Sequence, residues 1–262
     1  MYLIDAHAHL SHERFAKDRD KILDSLNKDD VVYLVEVGYD LDSSKNAVDL
    51  SSKYDPIYSA VGIHPHDVKD ADNATLQNID SIASAHPRVV AIGEIGLDFY
   101  RMLSPRERQE EYFEKQIEIA LRQNLPIMIH VRDAYDEIYE YVKRYVPQGL
   151  RGVVHSFSSD EKMASRFLDL GFLLSFSGQI TYPKAYEIRK AVKYIPVERL
   201  LTETDSPYLP PQPVRGRRNE PRYVRYVLEE IARIKDIPIN TLADRVVKNF
   251  ETFFNLNYGK RR

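Results

Sequence analysis

Apolar positions along the chain recur in two distinct periods. Eight short runs rich in β-branched side chains read as strands: Tyr2–His9, Val31–Gly38, Ile57–His64, Val89–Ile95, Ile127–Val131, Gly152–Ser156, Phe172–Ser177 and Leu200–Asp205. Between them, polar and apolar residues follow helical spacing. In the clearest such stretch, Pro105–Gln123, Ser104 is the expected cap, Pro105 the first helical residue and Glu107 the partner of Ser104 in a capping box. Tyr112, Phe113, Gln116, Ile117, Ala120 and Leu121 form its apolar stripe, and charged residues cover the rest. Asp133–Tyr145, Asp160–Leu170, Pro183–Tyr194 and Arg222–Lys235 repeat the strand-then-helix alternation. Ile239–Asn255, with Asn240 as its expected cap, supplies a final helix.

A strand followed by a helix, eight times over, predicts a (β/α)8 TIM barrel built as a single domain over residues 1–262. The strands are nearly continuous apolar runs, as parallel strands covered on both faces require. An open doubly wound sheet is the alternative, but no G-x-G-x-x-G or Walker loop follows the first strand.

Composition narrows the chemistry. The chain has no cysteine, which excludes disulfides, thiolate metal sites and a thiol nucleophile together. With 43% hydrophobic and 29% charged residues it reads as a globular chain. The longest apolar runs (Val31–Val35, Val89–Ile92, Phe172–Leu174) fall far short of a bilayer span, so no membrane association is expected. Met1–Leu10 carries Asp5 and two histidines without a basic region, so it does not read as a signal peptide, and a cytoplasmic location is the expectation. A net charge of −3 means that any nucleic-acid binding must come from a local basic patch. The loop Pro210–Arg222, with Arg215, Arg217, Arg218 and Arg222 beside Asp205, is the candidate.

In a barrel, catalytic residues gather at the C-terminal ends of the strands. There the sequence places His7 and His9, which side-chain alternation aims the same way, together with His64, Glu94, His130, His155 and Asp205. One histidine at a strand end is more often a hydrogen-bonded structural residue, and His12 and His86, in charged loop-like surroundings, get that reading. Four histidines and two carboxylates converging from several strands make a ligand set for one or two divalent ions. His64 closes its strand and His66 lies on the loop above it. Gly93 and Gly96 suggest a backbone bent closely around something at the mouth. Glu203, two residues before Asp205, points the same way one layer deeper; it is expected to orient a ligand histidine, or His64, by hydrogen bonding. Arg132, directly after His130, is either a phosphate clamp or a structural charge, paired with Asp133 or placed at the helix start. Phe99 and Tyr100 could stack on a base, although core packing is the expected role.

The motifs Asp5-Ala6-His7-Ala8-His9, Gly62-Ile63-His64-Pro65-His66, Gly93-Glu94-Ile95-Gly96-Leu97-Asp98, His130-Val131-Arg132-Asp133-Ala134, His155-Ser156-Phe157 and Glu203-Thr204-Asp205-Ser206-Pro207 run through the whole chain in one order. In these the chain resembles the TatD family of metal-dependent hydrolases, within the amidohydrolase-like barrels. The resemblance implies a two-metal deoxyribonuclease or related phosphodiesterase. His7, His9, Glu94 and Asp205 would hold one ion and Glu94, His130 and His155 the other, while Arg217, Arg218 and Asn219 match the family's basic stretch. Many similar barrels bridge their metals with a lysine; none lies between His86 and Tyr100, which leaves Glu94 as the bridge. Two divalent ions suit an anionic phosphodiester, such as DNA, and Asp205 can accept the proton of the attacking water, with His64 the next candidate base. Mg²⁺ or Mn²⁺ is the expectation for a nuclease, and Zn²⁺ the tightest binder of such imidazole-rich sites. An amide, lactone or ester hydrolase, an aminoacyl-tRNA deacylase, and an inactive metal-binding scaffold are the alternatives; a substrate panel and metal analysis separate them.

Overall fold

In the computed structural model, which describes residues 1–256, all eight expected strands form: β1 (Leu3–Ala8), β2 (Val31–Val37), β3 (Ile57–Val61), β4 (Val89–Asp98), β5 (Ile127–Arg132), β6 (Gly152–Val154), β7 (Leu173–Phe176) and β8 (Leu200–Thr202). They lie side by side in chain order in one sheet. The helices are α1 (Arg19–Ser25), α2 (Leu41–Lys53), α3 (Asn73–Ala85), α4 (Arg106–Gln123), α5 (Tyr135–Tyr145), α6 (Glu161–Asp169), α7 (Tyr186–Tyr194), α8 (Val224–Lys235) and α9 (Ile239–Phe253). This is the (β/α)8 barrel that the alternation predicts. Most strand positions are buried on both faces, which explains why the segments read as unbroken apolar runs. Among the described residues no helix is long and apolar enough to cross a membrane.

The described residues gather into two compact units, one comprising Met1–Val35, Ser156–Leu168 and residues 173–256, the other Glu36–His155 and Asp169–Phe172. In the first unit β1 and β8 meet. Ala8 pairs in parallel with Ser206, the Asp205 N–H donates to the His7 carbonyl at 2.9 Å, and the His9 N–H donates to the Ser206 carbonyl at 2.7 Å. The ladder thus continues past both strands and fixes the register of the residues that follow them. In the second unit, β4 and β5 run in parallel with Gly96 beside His130 and Asp98 beside Arg132.

Helix starts follow side-chain chemistry only in part. Asp40 with Ser43 opens α2 and Asp72 with Thr75 opens α3, each as a reciprocal capping box. Two expected caps are not made. Ser104 does not cap α4, which begins after Pro105 with no side-chain cap. Its hydroxyl instead donates to the His66 carbonyl at 2.8 Å and accepts the Lys69 N–H, so it staples the loop after β3. Asn240 lies inside α9, whose N-cap is Pro238. The expected stripe of α4 is buried apart from Leu121, which is half-buried.

Within that stripe, Gln109 and Gln116 act on the strand ends. Gln116 accepts the Ile63 N–H at 2.7 Å and donates to the Ile63 carbonyl at 3.0 Å. Gln109 treats Asp98 the same way, at 2.8 and 3.2 Å. Spaced two turns apart on one helix face, the two buried amides pin the backbone beside His64 and at the end of β4.

Candidate metal centre

The first unit holds a cluster made from the ends of β1 and β8. Alternation along β1 places His7 and His9 on one side, and their Nε2 atoms stand 3.1 Å apart. Asp205 Oδ1 faces both, 3.8 Å from His7 and 3.5 Å from His9. Asp205 occupies the left-handed region (φ +57°), which aspartate tolerates better than most side chains. Beneath them lies Asp5, fully buried. It accepts the Thr204 N–H at 2.8 Å, the Thr204 hydroxyl at 2.6 Å and the His7 N–H at 3.4 Å, which ties β1 to the turn that presents Asp205. Burial pushes the Asp5 carboxyl well above its ordinary range, with the hydrogen bonds from Thr204 opposing. Glu203, also fully buried, accepts the Ser156 N–H at 2.8 Å and the Ser175 hydroxyl at 2.5 Å, partners that the sequence did not suggest.

The second unit holds the other cluster. Glu94 Oε1 stands 2.9 Å from His130 Nδ1, 3.0 Å from His155 Nε2 and 3.5 Å from His64 Nε2, so three imidazoles face one carboxylate oxygen. The flanking glycines sit where no side chain would fit. A Cβ on Gly93 would stand 2.6 Å from the Met128 Cβ, and one on Gly96 (φ +146°) 1.9 Å from the His130 carbonyl oxygen. They let β4 approach β5. His64 is buried, which lowers its pKa to about 3 against the opposing charge of Glu94; its Nδ1 accepts the His66 N–H at 3.1 Å. Its neutral ring therefore carries hydrogen on Nε2, the nitrogen that faces Glu94.

Asp98, not singled out in the sequence, completes this cluster. It is 1% exposed; Oδ2 lies 2.7 Å from His66 Nε2 and 3.3 Å from His130 Nε2, and Oδ1 accepts the N–H groups of Tyr100 and Arg101. Burial alone would raise its pKa, but the hydrogen bonds from His130, His66 and Arg101 outweigh it and hold the carboxyl well below the usual range. The clue in the sequence was its spacing: Asp98 follows Glu94 by four residues, on the same side of a strand.

The other candidates divide. Arg132 does not pair with Asp133 among the described residues; its guanidinium lies over the Tyr100 ring at 4.0 Å. Tyr100 is 62% exposed, so it is not a core residue. Phe99 lies under the Arg106 guanidinium. Arg218 forms a bidentate pair with Asp18, both contacts 2.7 Å, and reaches Glu220 at 3.1 Å. Asn219 is fully buried and donates to the carbonyls of Thr204 and Tyr208. Both are engaged in shaping the loop after β8. Arg222 pairs with Glu220, and Arg215 lies over Tyr182. Arg217 is exposed and pairs with no carboxylate among the described residues.

The donor sets suit divalent ions. In the first unit two imidazole nitrogens and a carboxylate oxygen face one another; in the second, ligand atoms of Glu94, His130 and His155 all lie within 4.8 Å of one another. Nitrogen and oxygen donors gathered this closely without thiolates fit Zn²⁺, Mn²⁺ and related ions.

Comparison with known proteins agrees. A family profile described as TatD related DNase matches residues 4–255. The chain is 39% identical to the uncharacterized metal-dependent hydrolase YabD of Bacillus subtilis, over 97% of this chain and all of that protein. It is 36% identical to the uncharacterized metal-dependent hydrolase YcfH of Escherichia coli, over 99% and 98% of the two chains. Among solved structures, the TatD homologue YjjV of Escherichia coli superposes with a TM-score of 0.92 at 29% identity, over 97% of this chain and 98% of that one. The chain belongs to the TatD family of metal-dependent hydrolases.

Proposed function

We propose that this hydrolase cleaves phosphodiester bonds of DNA with the help of two divalent ions, one held by His7, His9 and Asp205 and the other by Glu94, His130 and His155. The observation that carries this reading is the pair of ligand clusters at the strand ends, each with imidazole nitrogens and a carboxylate oxygen turned toward one another. Divalent ions held there would neutralise phosphate charge and make water a better nucleophile at neutral pH.

The chain's own groups supply the rest. Asp205, whose side chain retains 14% exposure, can accept the proton of the attacking water from beside His9. His64 presents an N–H toward Glu94 and can donate to an oxygen that develops negative charge. Arg132, fixed over the Tyr100 ring, and Arg217 offer positive charge to the nucleic-acid backbone. Thr204, Asp5 and Asn219 hold the Asp205 turn, so its carboxylate is positioned before substrate arrives.

The test is a substrate panel on chelator-stripped protein, with and without added Mn²⁺, Mg²⁺ or Zn²⁺. Metal-dependent cleavage of bis(p-nitrophenyl) phosphate and of oligodeoxynucleotides supports the proposal. Cleavage confined to p-nitrophenyl esters, lactones or aminoacyl esters would overturn the phosphodiester reading and leave a metal-dependent hydrolase of another bond.

A further inference from the structure

We propose that Asp98 is a positioning residue that fixes His130 with Nε2 protonated and Nδ1 available to an ion. Its carboxylate oxygens only accept. His66 Nε2 at 2.7 Å must therefore carry a hydrogen, and a hydrogen on His130 Nε2, at 3.3 Å, has Oδ2 as its acceptor. Asp98 is itself immobilised: Oδ1 is held by the N–H groups of Tyr100 and Arg101, and its backbone N–H and carbonyl by Gln109.

The consequence falls on the other nitrogen of His130. A neutral ring has one N–H. Nδ1 stands 2.9 Å from Glu94 Oε1, which also only accepts, so without an ion the two ring nitrogens compete for that hydrogen. An ion held by Glu94 and Nδ1 would exclude hydrogen from that side of the ring and leave it on Nε2, directed to Asp98. The arrangement is that of a carboxylate–histidine–metal relay, in which the distal carboxylate selects the tautomer and strengthens the ligand. The shared acceptor Oδ2 links His66 to the same cluster, and Oδ1 links the backbone of exposed Tyr100 to it.

This inference rests on reading His130 as an ion ligand, and its test needs no hydrolysis. In the Zn²⁺-loaded protein with ¹⁵N-labelled histidine, long-range ¹H–¹⁵N correlation spectra should show the His130 hydrogen on Nε2, the resonance being assigned with His130→Gln. A hydrogen on Nδ1 would overturn the proposal without recourse to any variant at Asp98. Zn²⁺ competition against a chromophoric chelator provides the second readout. Asp98→Asn should weaken one of the two bound ions by roughly 10- to 100-fold and leave the other unchanged. Unchanged affinity for both ions, or equal weakening of both, would overturn it. If the wild-type chain binds two Zn²⁺ yet cleaves no phosphodiester, the proposed function fails while this inference stands. If the wild type binds no Zn²⁺, the ligand reading and this inference fail together.

Discussion

Gln116 and Ile63 form a complete amide pair, in which the side-chain oxygen accepts the Ile63 N–H at 2.7 Å and the side-chain nitrogen donates to the Ile63 carbonyl at 3.0 Å. A polar residue in the apolar stripe of α4 thus substitutes for a neighbouring strand just where β3 has ended and His64 begins. Replacement by leucine keeps the volume and removes both bonds. Gln116→Leu should therefore destabilise the fold by about 1–3 kcal/mol, the cost of leaving buried backbone groups unpaired. Chemical denaturation checks this; unchanged stability would mean that the Ile63 backbone finds other partners.

Asp205 combines two tasks that one substitution separates. Asp205→Asn retains a coordinating oxygen near His7 and His9 but cannot accept a proton. The variant should keep much of its bound metal while the rate of phosphodiester cleavage drops roughly 10²- to 10⁴-fold, as expected for a lost general base. Metal analysis beside steady-state kinetics decides the matter. A near wild-type rate would show that Asp205 is not the base, and complete loss of metal would show it to be chiefly a ligand.

Much of the site was legible because strand periodicity and barrel topology are local and repetitive. Residues at strand ends, such as His7, His130 and Asp205, can be placed from the pattern alone. What escaped depends on contacts distant in sequence. Arg218 reads as a free cation in a basic loop, yet its partner Asp18 lies 200 residues away. Ser104 and Asn240 have the chemistry of helix caps, but the Ser104 hydroxyl accepts the Lys69 N–H in the loop after β3, and Pro105 and Pro238 precede the helices instead. Asp98 stands in a motif quoted for its glutamate, and only the fold brings His66 and His130 to it. Gly93 and Gly96 suggest a backbone bent around something at the mouth, but the contacts that demand glycine at both positions are with β5, which only the fold brings near.

The basic loop makes a divided prediction. Arg217→Ala should raise KM for an oligonucleotide roughly five- to tenfold, about 1–1.4 kcal/mol, and reduce the salt dependence of binding, with little effect on kcat for a small phosphodiester. Arg218→Ala should instead lower stability by ~1–2 kcal/mol, because Asp18 and Glu220 lose their shared partner. An unchanged salt slope in Arg217→Ala would make that side chain a solvated bystander.

Asp67 gives a pH prediction of definite sign. Burial, aided by the charge of Asp40, raises its pKa from 3.8 to about 6. Between these values the folded state binds more protons than the unfolded one, so stability falls as pH rises from about 4 to 6. Asp67→Asn removes the penalty. Its melting temperature should match that of the wild type near pH 4, exceed it increasingly up to about pH 6, and keep a constant advantage above. A constant difference across the whole range would show that the carboxyl titrates normally.

The most direct test of the account is a metal titration of stripped protein, with cleavage of a defined oligodeoxynucleotide as the readout. The protein should be inactive after chelation and dialysis. Activity should return on addition of Mn²⁺ and reach its plateau near two equivalents per chain, as the clusters at His7, His9 and Asp205 and at Glu94, His130 and His155 require. Full activity in the stripped protein, or metal uptake without cleavage of the oligonucleotide, would contradict it.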